Sequence, residues 1–511
     1  MRALCLLTVS VYLSDGVRAQ DWPAWGGADP GRNMYSPATG LPVRFEPGKP
    51  KPGGDDIDLA TTKNVRWIAK LGSQSYGNPV VAGGKVYVGT NNETPRDSRH
   101  TGDRSILLCL DEKTGALRWQ LVVPKLKAGK ANDWEALGIL GSPFVQGRRL
   151  WLVTSRAEVL CLDTEGMANG NDGPFQDEAS YVVQETGQPP IAPGPKDADI
   201  LWRYDMISEL GTFPHNAANC SVLVVGDILY VGTGNGTDWT HANVPFPYAP
   251  SLIALDKNTG RLLAEDDARL GARIFHGQWS SPSAGLVNGK QLVFFGGGDG
   301  WLYAFDAKPV NQGGPNLLHV AWKLDCNPPE YRTKDGQPVK YGAPDGPSEV
   351  NATPVFFKNR VYVATGQDPE QGDGSGHLLC ADAATGTRVW ESKSVHRSLS
   401  TVSIDPARGL LFVNDFAGFV YCLEADTGKL LWSHDMKAQI WGSTLVADGK
   451  VFVGDADGDL CVLAAAKQKK VLNEVNFGGP LYSSPIVANG VLYLSTQTHL
   501  YAIGAEQPPR R

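Results

Sequence analysis

KVYVGT at 85–90, LLCLD at 107–111 and TGALRW at 114–119 decide the fold. They read as an apolar strand ending in Gly-Thr, a second strand ending in Asp, and a Thr-Gly turn leading to Trp; each run is short and rich in β-forming residues. The pattern recurs down the chain. The first element returns as RLWLVT at 149–154, ILYVGT at 228–233, QLVFFG at 291–296, RVYVAT at 360–365, LLFVND at 410–415, KVFVGD at 450–455 and VLYLST at 491–496. The second returns as VLCLD, LIALD, LYAFD, LLCAD, VYCLE, LCVLA and LYAIG. Most copies are roughly 40–50 residues apart, the spacing of four-stranded propeller blades.

Aligning the second element puts Cys109, Cys161, Ala254, Ala304, Cys380, Cys422, Val462 and Ala502 at one position. Side chains alternate across a strand, so this position faces one side of each sheet, where only a small apolar group fits. The cysteines there are read as buried thiols interchangeable with Ala. Cys220, Cys326 and Cys461 remain; a Cys220–Cys326 bridge is possible, and no CxxC pair suggests a metal.

The strand after the Thr-Gly turn carries Trp119, Trp202, Trp322, Trp390 and Trp432, but the last repeat ends near Gly504 without it. NVRWIAKLG at 64–72, with Trp67, supplies the missing piece. The predicted fold is therefore all-β, an eight-bladed β-propeller of four-stranded antiparallel blades. An N-terminal strand completes the last blade and leaves no open edge at the join. The Trp residues are expected to dock between blades.

The predicted organisation is a signal peptide at 1–19, an extension at 20–55 packing on the ring, the propeller at 56–504 and a tail at 505–511. Met1-Arg2, an apolar run and Val17-Arg18-Ala19 form the export signal, cut after Ala19 and directing the protein to the periplasm or outside the cell. Segments 164–200 and 307–347 are insertions. With 59 Gly and 35 Pro the chain is turn-rich, and its net charge of −7 has no basic stripe. Nucleic acid is thus not an expected partner. No later run is long and apolar enough to span a membrane. The expected partner of a monomeric chain is a small molecule or a protein on one propeller face. DADGD at 455–459 resembles a calcium loop but aligns with GGGDG at 296–300 as a hairpin turn, the preferred reading.

CLDEKTGALRW, CADAATGTRVW and CLEADTGKLLW resemble the pyrroloquinoline-quinone (PQQ) repeat. Quinoprotein alcohol dehydrogenases, which bind PQQ with Ca²⁺, share this repeat with the BamB-type outer-membrane assembly scaffold, which has no cofactor. GTGNGTDW at 232–239 is similar to the quinoprotein metal segment and implies Asn235 as a ligand; SRAE at 155–158 implies Glu158 as the carboxylate ligand. FHGQW at 275–279 is similar to the segment that supplies the acidic catalytic group, but only His276 could act there as base. Trp239, Trp279 and Trp301 complete the implied cofactor contacts, and WTHANVPFPYAPS at 239–251 reads as a pocket wall. The acidic positions, the adjacent cysteine pair and the aromatic floor of the dehydrogenases are missing. PQQ with Ca²⁺ and no cofactor at all both remain open. The leading expectation is a ligand- or protein-binding platform with a degenerate quinoprotein site. The alternatives are a PQQ- and calcium-dependent alcohol or sugar dehydrogenase and a BamB-like scaffold.

Overall fold

Each repeat folds into a four-stranded antiparallel sheet. In the first blade Val80–Ala82, Lys85–Asn91, Arg104–Asp111 and Leu117–Pro124 pair in that order, here termed inner, second, third and outer strands. The computed structural model describes residues 20–504 except 186, 312–314, 340–345 and 369–373; the expected signal peptide and tail lie outside the described residues. Seven more blades follow, with inner strands beginning at Phe144, Leu223, Ser283, Val355, Ser403, Leu445 and Ile486. Val65–Lys70 is the outer strand of the eighth, pairing Ala502 with Trp67 and Tyr501 with Ile68. The ring closes as the repeat pattern implies.

The small position has a geometric cause. In six blades it is flanked by an aromatic residue on the second strand and a Trp on the outer strand, as in Tyr87–Cys109–Trp119, Tyr362–Cys380–Trp390 and Tyr493–Ala502–Trp67. Paired residues project from the same face, so two rings leave room between them only for Cys or Ala. In all eight blades the outer strand carries one extra residue, a bulge, opposite the step that follows this position, adding local twist. All seven cysteines among the described residues are free and buried, so Cys220 and Cys326 form no bridge.

Each docked Trp binds the next blade. The indole N–H of Trp119 donates to Thr164 O at 3.0 Å, that of Trp390 to Ala425 O at 3.0 Å, and that of Trp67 to Glu112 O at 2.9 Å. The rings of Trp67, Trp202, Trp322 and Trp390 lie on the Thr-Gly turn of that blade. A Cβ on Gly428, at φ +70°, would fall 2.4 Å from Trp390 Cε3, so the turn requires Gly on two grounds. Two blades lack the Trp. In the third, Ala264 stands opposite Ala254, and the Tyr230 hydroxyl donates to Ala307 O across the blade gap. In the seventh, Asn473 stands there and donates to Val43 O at 2.9 Å, with Phe45 packed against Phe477.

The segment from Gln20 to Ser36 crosses the ring and bonds to every blade. Trp22 pairs with Val81, Pro23 O accepts from Val145 N, Pro30 O from Ala284 N, Gly31 O from Phe356 N and Met34 O from Val446 N. Asn33 bonds Ile404 through both its amide atoms, and Gln20 O accepts from Asn489 N. Arg32 is fully buried and donates to Trp25 O and Val222 O, both at 2.6 Å. Burial lowers its pKa to about 10, and these carbonyls stand in for lost water. The insertion at 164–200 runs beside the first blade, where Asp197 bridges Gln120. In the 307–347 insertion, Leu317–Leu318 adds a strand to the third blade. DADGD is a hairpin turn joining Lys450–Gly454 to Asp459–Ala464. Among the described residues no helix is long and apolar enough to cross a membrane.

Candidate functional site: the axial cavity and its histidines

Two residues before each inner strand the chain places a small polar side chain: Asn78, Ser142, Ser221, Ser281, Thr353, Thr401, Ser443 and Ser484. Because each is fixed by the strand that follows, they form a belt around the axis. Neighbouring blades are joined through it. Ser142 N donates to Ser221 Oγ and Ser221 N to Ser281 Oγ, both at 2.9 Å; Thr401 N donates to Ser443 Oγ at 2.9 Å, Ser443 N to Ser484 Oγ at 2.7 Å, and Ser484 N to Asn78 Oδ1 at 2.5 Å.

The belt surrounds a cavity of 570 Å³. That volume is within the usual range for small-molecule sites. Trp25, from the segment that crosses the ring, lines it together with Tyr76, Trp134, Trp279, Trp441 and Tyr482. Tyr76 and Tyr482 stack with ring centroids 4.9 Å apart, and Trp441 sits edge-on to Tyr76 at 6.2 Å. Burial raises the Tyr76 pKa to about 12, so this wall is neutral. The indole N–H groups of Trp25 and Trp279 and the amide oxygen of Asn351 have no hydrogen-bond partner among the described residues. A buried donor left in this way costs about 1–3 kcal/mol unless something else satisfies it.

On one side of this cavity, loops of the third, fourth and fifth blades gather titratable groups. His215 precedes the third inner strand, His241 follows the third blade's second strand, and His276 precedes the fourth inner strand. Their rings are 4.7–5.3 Å apart, and one ligating atom from each lies within 4.8 Å of the others. His215 Nδ1 is 2.6 Å from Thr237 O, so it carries the proton and donates, leaving Nε2 directed at His241 Nε2, 3.2 Å away. His276 Nδ1 lies 3.3 Å from Glu349 Oε1, and its Nε2 3.9 Å from Asp368 Oδ1. Asn351 donates to the other Glu349 oxygen at 2.8 Å. Burial, reinforced by the neighbouring His276, lowers the His215 pKa to about 4, so it is neutral near pH 7.

A family model described as outer membrane protein assembly factor BamB matches residues 102–316, 374–472 and 417–507, more than half of the chain. The protein belongs to the PQQ-repeat β-propeller family. Among curated relatives, the dehydrogenase subunit of a quinone alcohol dehydrogenase from Gluconacetobacter polyoxogenes is 22% identical over 81% of this chain and 57% of that protein. The chain thus spans a little over half the length of that relative. BamB of Burkholderia pseudomallei is 32% identical over 22% of this chain and 27% of its own. Among solved structures, a europium-containing methanol dehydrogenase superposes with a TM-score of 0.62 at 13% identity, covering 95% of this chain and 98% of that one. Quinohemoprotein alcohol dehydrogenase from Comamonas testosteroni gives 0.60 at 12%, covering 96% and 82%. At these identities the likeness is one of fold.

In this PQQ-repeat propeller the residues singled out from sequence do not all meet. Trp279 lines the cavity and His276 packs beside it, ring centroids 4.8 Å apart. Trp239 is 49% exposed and reaches only the rim, 6.1 Å from Trp134. Trp301 is not among the lining residues and lies beneath the Lys323 ammonium, 5.1 Å from its ring centroid. Glu158 is fully buried; Arg203 Nη1 lies 2.9 Å and Arg156 Nε 3.4 Å from Oε1, while Tyr181 OH (2.8 Å) and Thr154 Oγ1 (3.2 Å) donate to Oε2. Asn235 Nδ2 donates to Gly271 O at 2.7 Å and Ile274 O at 2.8 Å, and its Oδ1 accepts from Thr237 Oγ1 at 2.8 Å. Asn235 therefore braces both the turn bearing His276 and the residue whose carbonyl orients His215. Of the segment at 239–251, His241 joins the histidines, Phe246 stacks on Phe213 and Tyr248 is exposed. Sequence reading missed the belt, His215, His241, Glu349 and Asp368. The belt carried a signal, a small polar residue before every inner strand, as in GSPF, ATPV and SSPI.

Proposed function

We propose that this protein is an exported binding platform that takes a small, flat-faced, polar ligand of quinone or sugar dimensions in its axial cavity, and that the calcium–quinone site has degenerated. One observation carries the reading: an aromatic cavity with a hydroxyl belt holds two buried indole donors without acceptors among the described residues. The Ca²⁺ positions do not fit the ion. Both Glu158 oxygens and the Asn235 oxygen already receive protein donors, whereas calcium requires oxygens directed at a common vacancy. Aromatic walls give face contacts to sugars and ring systems alike, and the belt offers hydroxyls at fixed positions.

A second reading, a PQQ-dependent dehydrogenase, is favoured by Glu349 and Asp368 beside His276, because carboxylates strengthen an imidazole as a base. Titration of the mature protein with PQQ and with aldose sugars, with and without Ca²⁺, separates the two. The readouts are tryptophan fluorescence and dye reduction with alcohols and aldoses. The platform predicts saturable quenching that ignores Ca²⁺, is lost in Trp279→Ala and brings no dye reduction. Calcium-dependent PQQ binding with turnover, lost in Glu158→Ala and Asn235→Ala, would establish the dehydrogenase instead.

A further inference from the structure

We infer that His215, His241 and His276 form a binding site for a divalent late first-row transition ion, with zinc and copper the best-suited members of the class. The inference stands apart from the cavity ligand and from the quinone–calcium chemistry of the resemblance, which it does not use.

Three imidazoles from three separate loops converge pairwise with ring centroids at 4.7, 5.0 and 5.3 Å, two of them buried and one half-buried. Loops packed only for stability fill such a junction with apolar side chains, because each buried imidazole brings two polar nitrogens that need partners. Imidazole nitrogen is the preferred donor of zinc, copper and nickel. The separation of His215 Nε2 and His241 Nε2, 3.2 Å, approaches the edge of a tetrahedral site. That edge is about 3.3 Å when metal–nitrogen bonds are about 2.0–2.1 Å. The third imidazole has a ligating atom within 4.8 Å of the other two, and the half-buried loop bearing His241 is the element able to close on it.

The outer partners are those that orient metal-bound histidines. His215 is held by Nδ1 donation to Thr237 O, and His276 Nδ1 faces Glu349, itself held by Asn351. A carbonyl or carboxylate behind each of these two rings fixes the tautomer that points the other nitrogen at the ion. Asp368 both lines the cavity and lies 3.9 Å from His276 Nε2, so the ion would sit beside the cavity, behind its wall. Other convergent groups are weaker: His434, Cys461 and Glu474 include an exposed carboxylate, and so do Asp163, Asp172 and Asp199.

The test uses the mature chain stripped with a chelator and titrated with Co²⁺, then Zn²⁺. The expected result is one Co²⁺ per chain with visible d–d bands, displaced one for one by Zn²⁺. His241→Ala, on the half-buried loop, should abolish uptake while circular dichroism and metal-free melting stay unchanged. Glu349→Gln should weaken affinity by about ten- to a hundredfold. His396→Ala, exposed and outside the cluster, should bind as the parent does. Uptake far below one equivalent would overturn the inference. So would uptake undiminished in His241→Ala, or a thiolate-to-cobalt charge-transfer band, which would put the ion at Cys461.

Discussion

Asp455 shows how one side chain departs from its own repeat. Its Oδ1 accepts from Asp457 N at 3.0 Å and Asp459 N at 2.9 Å, closing the hairpin, but its Oδ2 is buried with no hydrogen-bond partner among the described residues. One blade earlier, Asp415 makes the same turn and receives the Tyr421 hydroxyl at 2.6 Å; the residue in register with Tyr421 is Cys461, which has no hydroxyl. Burial accordingly raises the Asp455 pKa from 3.8 to about 6. A carboxyl raised in this way holds its proton more tightly in the folded chain. Its penalty is absent below about pH 4 and complete above about pH 6, so this group lowers stability as pH rises through that window. Asp455→Asn keeps the accepting oxygen and removes the charge. It should be more stable than the parent at pH 7 by about 1–3 kcal/mol and indistinguishable from it near pH 4, read from denaturant melts at both values. The small position makes a second prediction at this scale. Cys380→Ala should cost about 1 kcal/mol or less, whereas Cys380→Leu, wedged between Tyr362 and Trp390, should cost about 1–3 kcal/mol by overpacking.

At the scale of the element, stability between blades resides in the Trp-on-Gly contact. Trp390→Ala removes an indole that fills the space over Gly428 and donates to Ala425 O, and should lower stability by about 3–5 kcal/mol in equilibrium unfolding. Trp390→Phe should recover the packing share but not the hydrogen bond. This contact was legible in the sequence because its parts recur at short range: a strand and a small apolar residue in every repeat, a Trp in six and a Thr-Gly turn in four. The closing strand was legible for the same reason, through the absence of one such part at the end. The cavity was not. Its belt joins Asn78 to Ser484, and its histidines come from loops outside the repeat, where neither period nor turn chemistry constrains the residue. Glu158 and Asn235 illustrate the converse: motifs similar to a known ligand set singled them out, yet their partners Arg203, Tyr181 and Gly271 lie outside those motifs.

For the whole molecule, ring integrity depends on two stretches near the N-terminus that do different work. Val65–Lys70 completes the eighth blade, so its loss leaves a three-stranded sheet with an open edge and removes Trp67 from the groove beside Gly115. Residues 20–36 complete no blade but cap the inner-strand amides of Val145, Ala284, Phe356 and Val446 and bury Trp22, Trp25 and Met34. Exposing that end of the channel rehydrates those amides, which moderates the cost to a fraction of the about 1–3 kcal/mol of each dry unpaired group. A chain lacking 20–36 should keep its β-sheet circular dichroism, melt several degrees lower and lose tryptophan quenching by cavity ligands, because Trp25 is gone. A chain lacking 20–72 should lose cooperative melting and associate through its free edge, visible by size-exclusion chromatography. If the second chain melted as sharply as the first and stayed monomeric, seven complete blades would suffice to hold the ring, and the borrowed strand would be a convenience of topology rather than its closure.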